Sequence, residues 1–229
     1  VQISRSAVQD STYELLLRLE HDPHLASFKL VGGTALALQL GHRKSIDLDL
    51  FSRSGFDTTE MQRNLARYYG FEGSYVAENT LKGTIDGVFI DLITYDYPDV
   101  EPLVVTPDGI RMASMADIAA MKLEAIVGNG TRPKDFVDVA AMGGKMTLGH
   151  MLEVYCRKFS TSDTLSPTKA LVYYEDIDWE GEPVELIGGL KFDWKRVKRR
   201  LDAMTAHPDV LCKTPLFACK SRDDEDFER

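Results

Sequence analysis

The sequence predicts an α+β protein in which a mixed sheet flanked by helices is followed by a mainly helical C-terminal part. Two observations carry this: short β-favouring runs alternate with helical periodicity through the first half, and patterning from Ser114 onward is helical. The α/β core is expected over residues 1–112, and a helical region packed on it over 113–229, with an acidic tail from about residue 221. With 229 residues, 44% of them hydrophobic, there is enough chain to bury one substantial core.

Each element has its own signal. Tyr13, Leu16, Leu17 and Glu20 lie at helical spacing behind Asp10-Ser11, predicting a helix to Glu20. Phe28–Val31 reads as a short strand entering Gly32-Gly33-Thr34, and Ala35–Leu40 as a helix stopped by Gly41. Ile46–Phe51 alternates apolar and acidic residues, which predicts a strand with Ile46, Leu48 and Leu50 turned to the core. A helix over Thr58–Tyr69 ends at Gly70. Strands follow near Gly73–Ala77, Leu81–Ile85 and Val88–Tyr95, the last two joined through a tight Asp86-Gly87 turn. Val104–Gly109 reads as a strand end and turn. Helices are then expected over Ser114–Val127, Lys134–Met142, Leu148–Phe159, about Ser166–Tyr174, and Trp194–Ala206.

Composition narrows the function. The chain contains no run of eighteen apolar residues, so no membrane span is expected, and the start lacks a signal-peptide layout, which points to the cytoplasm. Cys156, Cys212 and Cys219 have no metal-ligand or CxxC spacing, which suits a reducing compartment. A net charge of −9 argues against a general polyanion binder, because nonspecific nucleic-acid affinity comes mainly from Lys and Arg. The basic run Lys191–Arg200 nonetheless leaves room for a local RNA or triphosphate contact, and Asp223-Asp224-Glu225-Asp226 is strongly acidic.

The sharpest chemistry lies in Asp47-Leu48-Asp49. Side chains two apart on a strand share a face, so these carboxylates are expected about 6 to 7 Å apart. Like charges that close repel unless a cation neutralises them, and a hard cation such as Mg²⁺ with a nucleoside triphosphate supplies the match. Asp91, inside the apolar run Val88–Tyr95, is costly to bury unpaired and is expected beside the first two. The Gly32-Gly33 turn opens a helix whose backbone N–H groups suit terminal phosphates.

Leu30-Val31-Gly32-Gly33-Thr34, then His42-Arg43-Lys44-Ser45-Ile46-Asp47-Leu48-Asp49, resembles the opening motif of the AbiEii/AbiGii-type toxin nucleotidyltransferases, a branch of the DNA polymerase β-like superfamily. Lys122 and the run Lys134-Asp135-Phe136-Val137-Asp138 look like the family's downstream motifs. The resemblance implies a polymerase-β-like nucleotidyltransferase core. It also implies transfer of an NMP from an NTP to an acceptor hydroxyl, with RNA such as a tRNA 3′ end as acceptor and an antitoxin protein as partner. The implied metal ligands are Asp47, Asp49 and Asp91, with Mg²⁺ as cofactor. The catalytic set adds Lys122 and Asp135, with Asp138 in support. The nucleotide-binding set is Gly32, Gly33, Thr34, Arg43, Ser45 and Lys122. On its helix Lys122 is expected to emerge at an edge and meet phosphate; the alternative for Asp135 and Asp138 is a plain helix N-terminus, capped by Thr131, whose dipole favours acids. A small-molecule, aminoglycoside-type transferase and a catalytically silent nucleotide-binding protein are the alternatives.

Overall fold

The computed structural model describes residues 3–181 and 183–217. Cys219 and the acidic run Asp223–Asp226 lie outside them. Among the described residues seven strands form one mixed sheet: β1 (Phe28–Leu30), β2 (Leu48–Ser52), β3 (Glu72–Ala77), β4 (Thr80–Ile85), β5 (Val88–Thr94), β6 (Val104–Val105) and β7 (Arg111–Met112). Their order across the sheet is β3-β4-β5-β2-β1-β7-β6. The centre is parallel where β2 meets β5 and antiparallel where β1 meets β2 and β4 meets β5.

Alternation along the strands decides which face is dry. Leu48, Leu50, Leu81, Ile85, Ile90 and Leu92 are all at most 2% exposed and form the apolar face. The intervening Asp49, Phe51, Lys82, Asp91 and Ile93 point to the opposite face, where the cavity described below opens. Asp86 and Gly87 take positive φ values of 50° and 79° between β4 and β5, as a two-residue hairpin turn with matched strand twist requires.

The helices are α1 (Asp10–Glu20), α2 (Gly32–Leu40), α3 (Thr58–Tyr69), α4 (Met115–Gly128), α5 (Pro133–Met142), α6 (Leu148–Phe159), α7 (Leu165–Ala170) and α8 (Trp194–Ala206). Asp57 caps α3 by accepting from Thr59 N and Glu60 N, both at 2.9 Å, a device worth about 1 kcal/mol. The second half packs around α4, which touches α2, α5, α6 and α7, while α8 lies on α5. Lys158 on α6 reaches through this packing to donate to Asp117 on α4 at 2.8 Å. Asp117 also accepts from Val100 N and Glu101 N, so a buried charge pins α6 and the loop before β6 to α4.

Several sequence expectations need correction. Ile46 precedes β2 and is 46% exposed, so it is not a core residue, and Asp47 lies in the extended approach rather than on the strand. Helix α2 begins at Gly32, before the expected Ala35. A short β7 was not foreseen, because two residues carry no readable alternation. Helix α7 ends at Ala170 instead of Tyr174, where Val172-Tyr173-Tyr174 supplies poorer helix formers. The N-cap of α5 is Arg132 rather than Thr131, with Pro133 at the first helical position, where its missing N–H is not needed.

Candidate active site

A cavity of about 930 Å³ opens over the polar face of the sheet. Its floor is built by register. Asp49 on β2 pairs directly with Asp91 on parallel β5, and Asp91 pairs with Lys82 on antiparallel β4. Lys82, Asp91 and Asp49 therefore stand in one row across three strands, and Asp47 joins them on the cavity wall. Lys82 Nζ donates to Asp91 Oδ2 in a close ion pair.

The electrostatics leave Asp49 under strain. Burial pushes its carboxyl up to about 6; Lys122 pulls against this, while Asp91 and Asp47 add to it. Among the described residues no three His, Cys, Asp or Glu side chains already stand together at metal-holding distances, and Asp91 is turned to Lys82. The donor set nevertheless suits a hard divalent cation: carboxylate oxygens on one wall, among them Asp49, whose charged form burial and the neighbouring Asp91 and Asp47 disfavour.

The glycine turn is shaped around the same carboxylates. Gly32 has φ +68°, and a Cβ there would collide with Asp49 Oδ2; a Cβ on Gly33 would run into Arg43 Nη2. Gly32 and Gly33 also line the cavity at the start of α2. Gly32→Ala is expected to combine backbone strain of about 1–2 kcal/mol with displacement of Asp49. Transferase turnover should fall at least tenfold in a protein that still folds, checked by circular dichroism beside the assay.

The other expected contacts are placed differently. Thr34 is 1% exposed, and its hydroxyl donates to Ser45 Oγ at 2.8 Å or to the Asp47 carbonyl, so its side chain fixes the approach to β2 and does not face the cavity. Ser45 lines the cavity. Arg43 is 3% exposed, and its guanidinium is committed to Asp138 by two bonds, Nε to Oδ1 at 2.6 Å and Nη2 to Oδ2 at 2.9 Å, and to the Lys44 carbonyl. Lys122 does not stand at an open edge. Its ammonium is buried between Asp135 Oδ1 at 2.6 Å and Asp138 Oδ2 at 2.8 Å, because both α5 acids face α4.

Asp138 is the hub of this wall. It is fully buried and also accepts from His42 Nε2 at 2.7 Å. Burial would raise its pKa, yet Arg43 and Lys122 outweigh burial and hold it well below the usual carboxylate range. Burial lowers His42 below its ordinary value despite Asp138, so the ring is neutral and donates from Nε2. Asp135 ties the wall outward, accepting from Arg132 Nε at 3.0 Å.

Sequence reasoning missed Lys82, Phe51, Tyr95 and Glu124, all of which line the cavity. Phe51 follows Asp49 by two and so shares its face, a signal that alternation carried. Phe51 and Tyr95 pack with centroids 5.4 Å apart, giving the cavity an aromatic side. Glu124 accepts from Tyr155 Oη at 2.8 Å, a long-range contact with no sequence signature.

Residues 14–82 match the family described as nucleotidyl transferase AbiEii toxin, type IV TA system. An uncharacterized protein of Aquifex aeolicus is 34% identical over 154 residues, covering 65% of this chain and 74% of that relative. Two solved structures share the fold. The MenT4 nucleotidyltransferase toxin of Mycobacterium tuberculosis aligns with TM-score 0.51 at 14% identity, over 88% of this chain and 87% of that one. An antigenic nucleotidyltransferase-like protein of Paracoccidioides brasiliensis aligns with TM-score 0.51 at 16% identity, over 89% and 95%. Fold and sequence together define a nucleotidyltransferase of polymerase-β-like architecture. Within that class, the chain belongs to the AbiEii nucleotidyltransferase toxin family. No helix among the described residues is long and apolar enough to cross a membrane.

Proposed function

We propose that this enzyme is Mg²⁺-dependent and moves an NMP from an NTP to a hydroxyl of RNA, with a tRNA 3′ end as the leading acceptor. It acts as the toxin of a cytoplasmic toxin–antitoxin pair. The observation that carries the catalytic part is the row of Asp49 and Asp91 in strand register beside Asp47, facing one cavity with Asp49 pushed up to about 6.

Asp47 and Asp49, joined by Asp91, would hold the cation, whose contribution is to neutralise the triphosphate and the departing pyrophosphate. The N–H groups of the Gly32-Gly33 turn bind terminal phosphate oxygens. Asp91 takes the proton of the acceptor hydroxyl as the new phosphorus–oxygen bond forms and pyrophosphate leaves. Lys122, Asp135, Arg43 and Asp138 form the wall that keeps α4 and α5 against the acidic strand. In this division residues 1–112 carry the acidic floor, and the helical region supplies the opposite wall and the acceptor surface.

The RNA part draws support from α8. Arg196, Arg199 and Arg200 with Lys213 line a second groove of about 600 Å³ on a chain of net charge −9. The test is incubation with each α-phosphate-labelled ribonucleotide and, in parallel, total RNA, purified tRNA or an aminoglycoside. Label on the tRNA band is expected. Label on the aminoglycoside alone would replace the RNA acceptor with a small molecule.

A further inference from the structure

The cations around the cavity are not equivalent. Arg43 and Lys122 are locked to Asp138, Lys122 and Arg132 to Asp135, and Lys44 lies 3.6 Å from Glu185 at the rim. Lys82 differs in its partner, because it holds Asp91, one of the carboxylates of the acidic row that lines the cavity. It also differs in exposure from the two buried cations: its side chain is 41% exposed and that of Asp91 26%, against 10% for Lys122 and 3% for Arg43. A half-solvated Lys–Asp pair contributes little and yields to a better partner, and a divalent cation outbids an ammonium for a carboxylate.

We propose that Lys82 is a stand-in cation: it neutralises Asp91 in the empty enzyme, gives that carboxylate up when the divalent cation arrives, and moves to the phosphates of the incoming NTP. This rests on the nucleotidyltransferase reading above. The strand order supports it. Lys82 and Asp91 are direct cross-strand partners, and Asp91 is the direct partner of Asp49, so the ammonium sits at the end of the acidic row. Its four-carbon stem lets the charge travel several ångströms while the backbone of β4 stays paired. Gly83, next to Lys82, lets β3 pack closely against β4, since a Cβ there would collide with the Glu72 carbonyl and the Phe71 ring. The exchange leaves no charge unpaired: the divalent cation takes the ammonium's place on the carboxylate, and the ammonium meets the anionic ligand.

The consequence is a pair of opposite effects that a purely structural lysine would not produce. In Lys82→Met, Mn²⁺ affinity without nucleotide, read from the free-ion paramagnetic resonance signal, should rise about threefold or more, because the competing ammonium is gone. Affinity for a non-hydrolysable NTP analogue with Mg²⁺, measured by calorimetry, should fall about tenfold. Lys82→Arg should restore analogue binding. Unchanged or weaker Mn²⁺ uptake by a folded Lys82→Met protein, with binding intact in the parent, overturns the role of Lys82 alone. Failure of the parent to take up either Mn²⁺ or the analogue overturns both this role and the reading on which it rests.

Discussion

Asp49→Asn, measured in chelator, is expected to melt at a higher temperature than the parent at neutral pH. Asp49 keeps its proton up to about 6 in the folded chain, whereas an unfolded Asp releases it near 4. Between those values the folded state binds more protons than the unfolded one, so stability falls as pH rises through the window. Above it both states are ionised and the penalty is constant, on the order of 2 to 3 kcal/mol. The amide removes that penalty. The gain should therefore be largest above pH 6, shrink as the pH is lowered, and vanish below about pH 4. Saturating divalent cation should erase it from the other side by stabilising only the parent. A variant that is equally or less stable at pH 7.5 would mean that Asp49 is well compensated in the empty enzyme.

Asp138→Ala carries the opposite expectation. Removing this carboxylate leaves Arg43 without its two-pronged partner, strips one of the two acids from Lys122, and takes the acceptor from His42, all within a fully buried cluster. Breaking one side of a buried ion network typically costs about 3 to 5 kcal/mol, because the remaining charges stay desolvated. For a chain of this size that is a fall in Tm on the order of 10 °C. The sign with pH also differs from Asp49. Asp138 is held well below the ordinary carboxylate value, so its contribution is complete above pH 4 and is lost only as strong acid protonates the folded state. Parent and variant should thus differ by a constant amount from pH 5 to pH 8. The rim pair Lys44–Glu185 is the control, and Glu185→Ala should change stability by less than about 0.5 kcal/mol.

The two variants explain what the amino-acid sequence could and could not reveal. Asp47-Leu48-Asp49 and Asp91 were legible because an acid at every second position, or inside a β-branched run, conflicts with burial unless the site uses it. Helices α1, α3 and α6 were legible from periodicity, and the structure adds the caps Asp57 on α3 and Thr147 on α6. Lys82 was legible in principle: it lies four residues before Asp86, and Asp91 four after Gly87, so a two-residue turn sets them opposite each other. That inference needs the register, which alternation by itself does not supply. The inward turn of Thr34, the hub role of Asp138 and the Lys158–Asp117 pin depend on contacts between distant segments. No local pattern encodes those.

The most direct test is transfer of the labelled α-phosphate from NTP to RNA by the parent and by Asp49→Asn, each with Mg²⁺ and with chelator. Transfer by the parent with Mg²⁺ alone, and none by the folded variant under either condition, is the expected outcome. Transfer at the parental rate by a correctly folded Asp49→Asn protein, or by the parent in chelator, would contradict it.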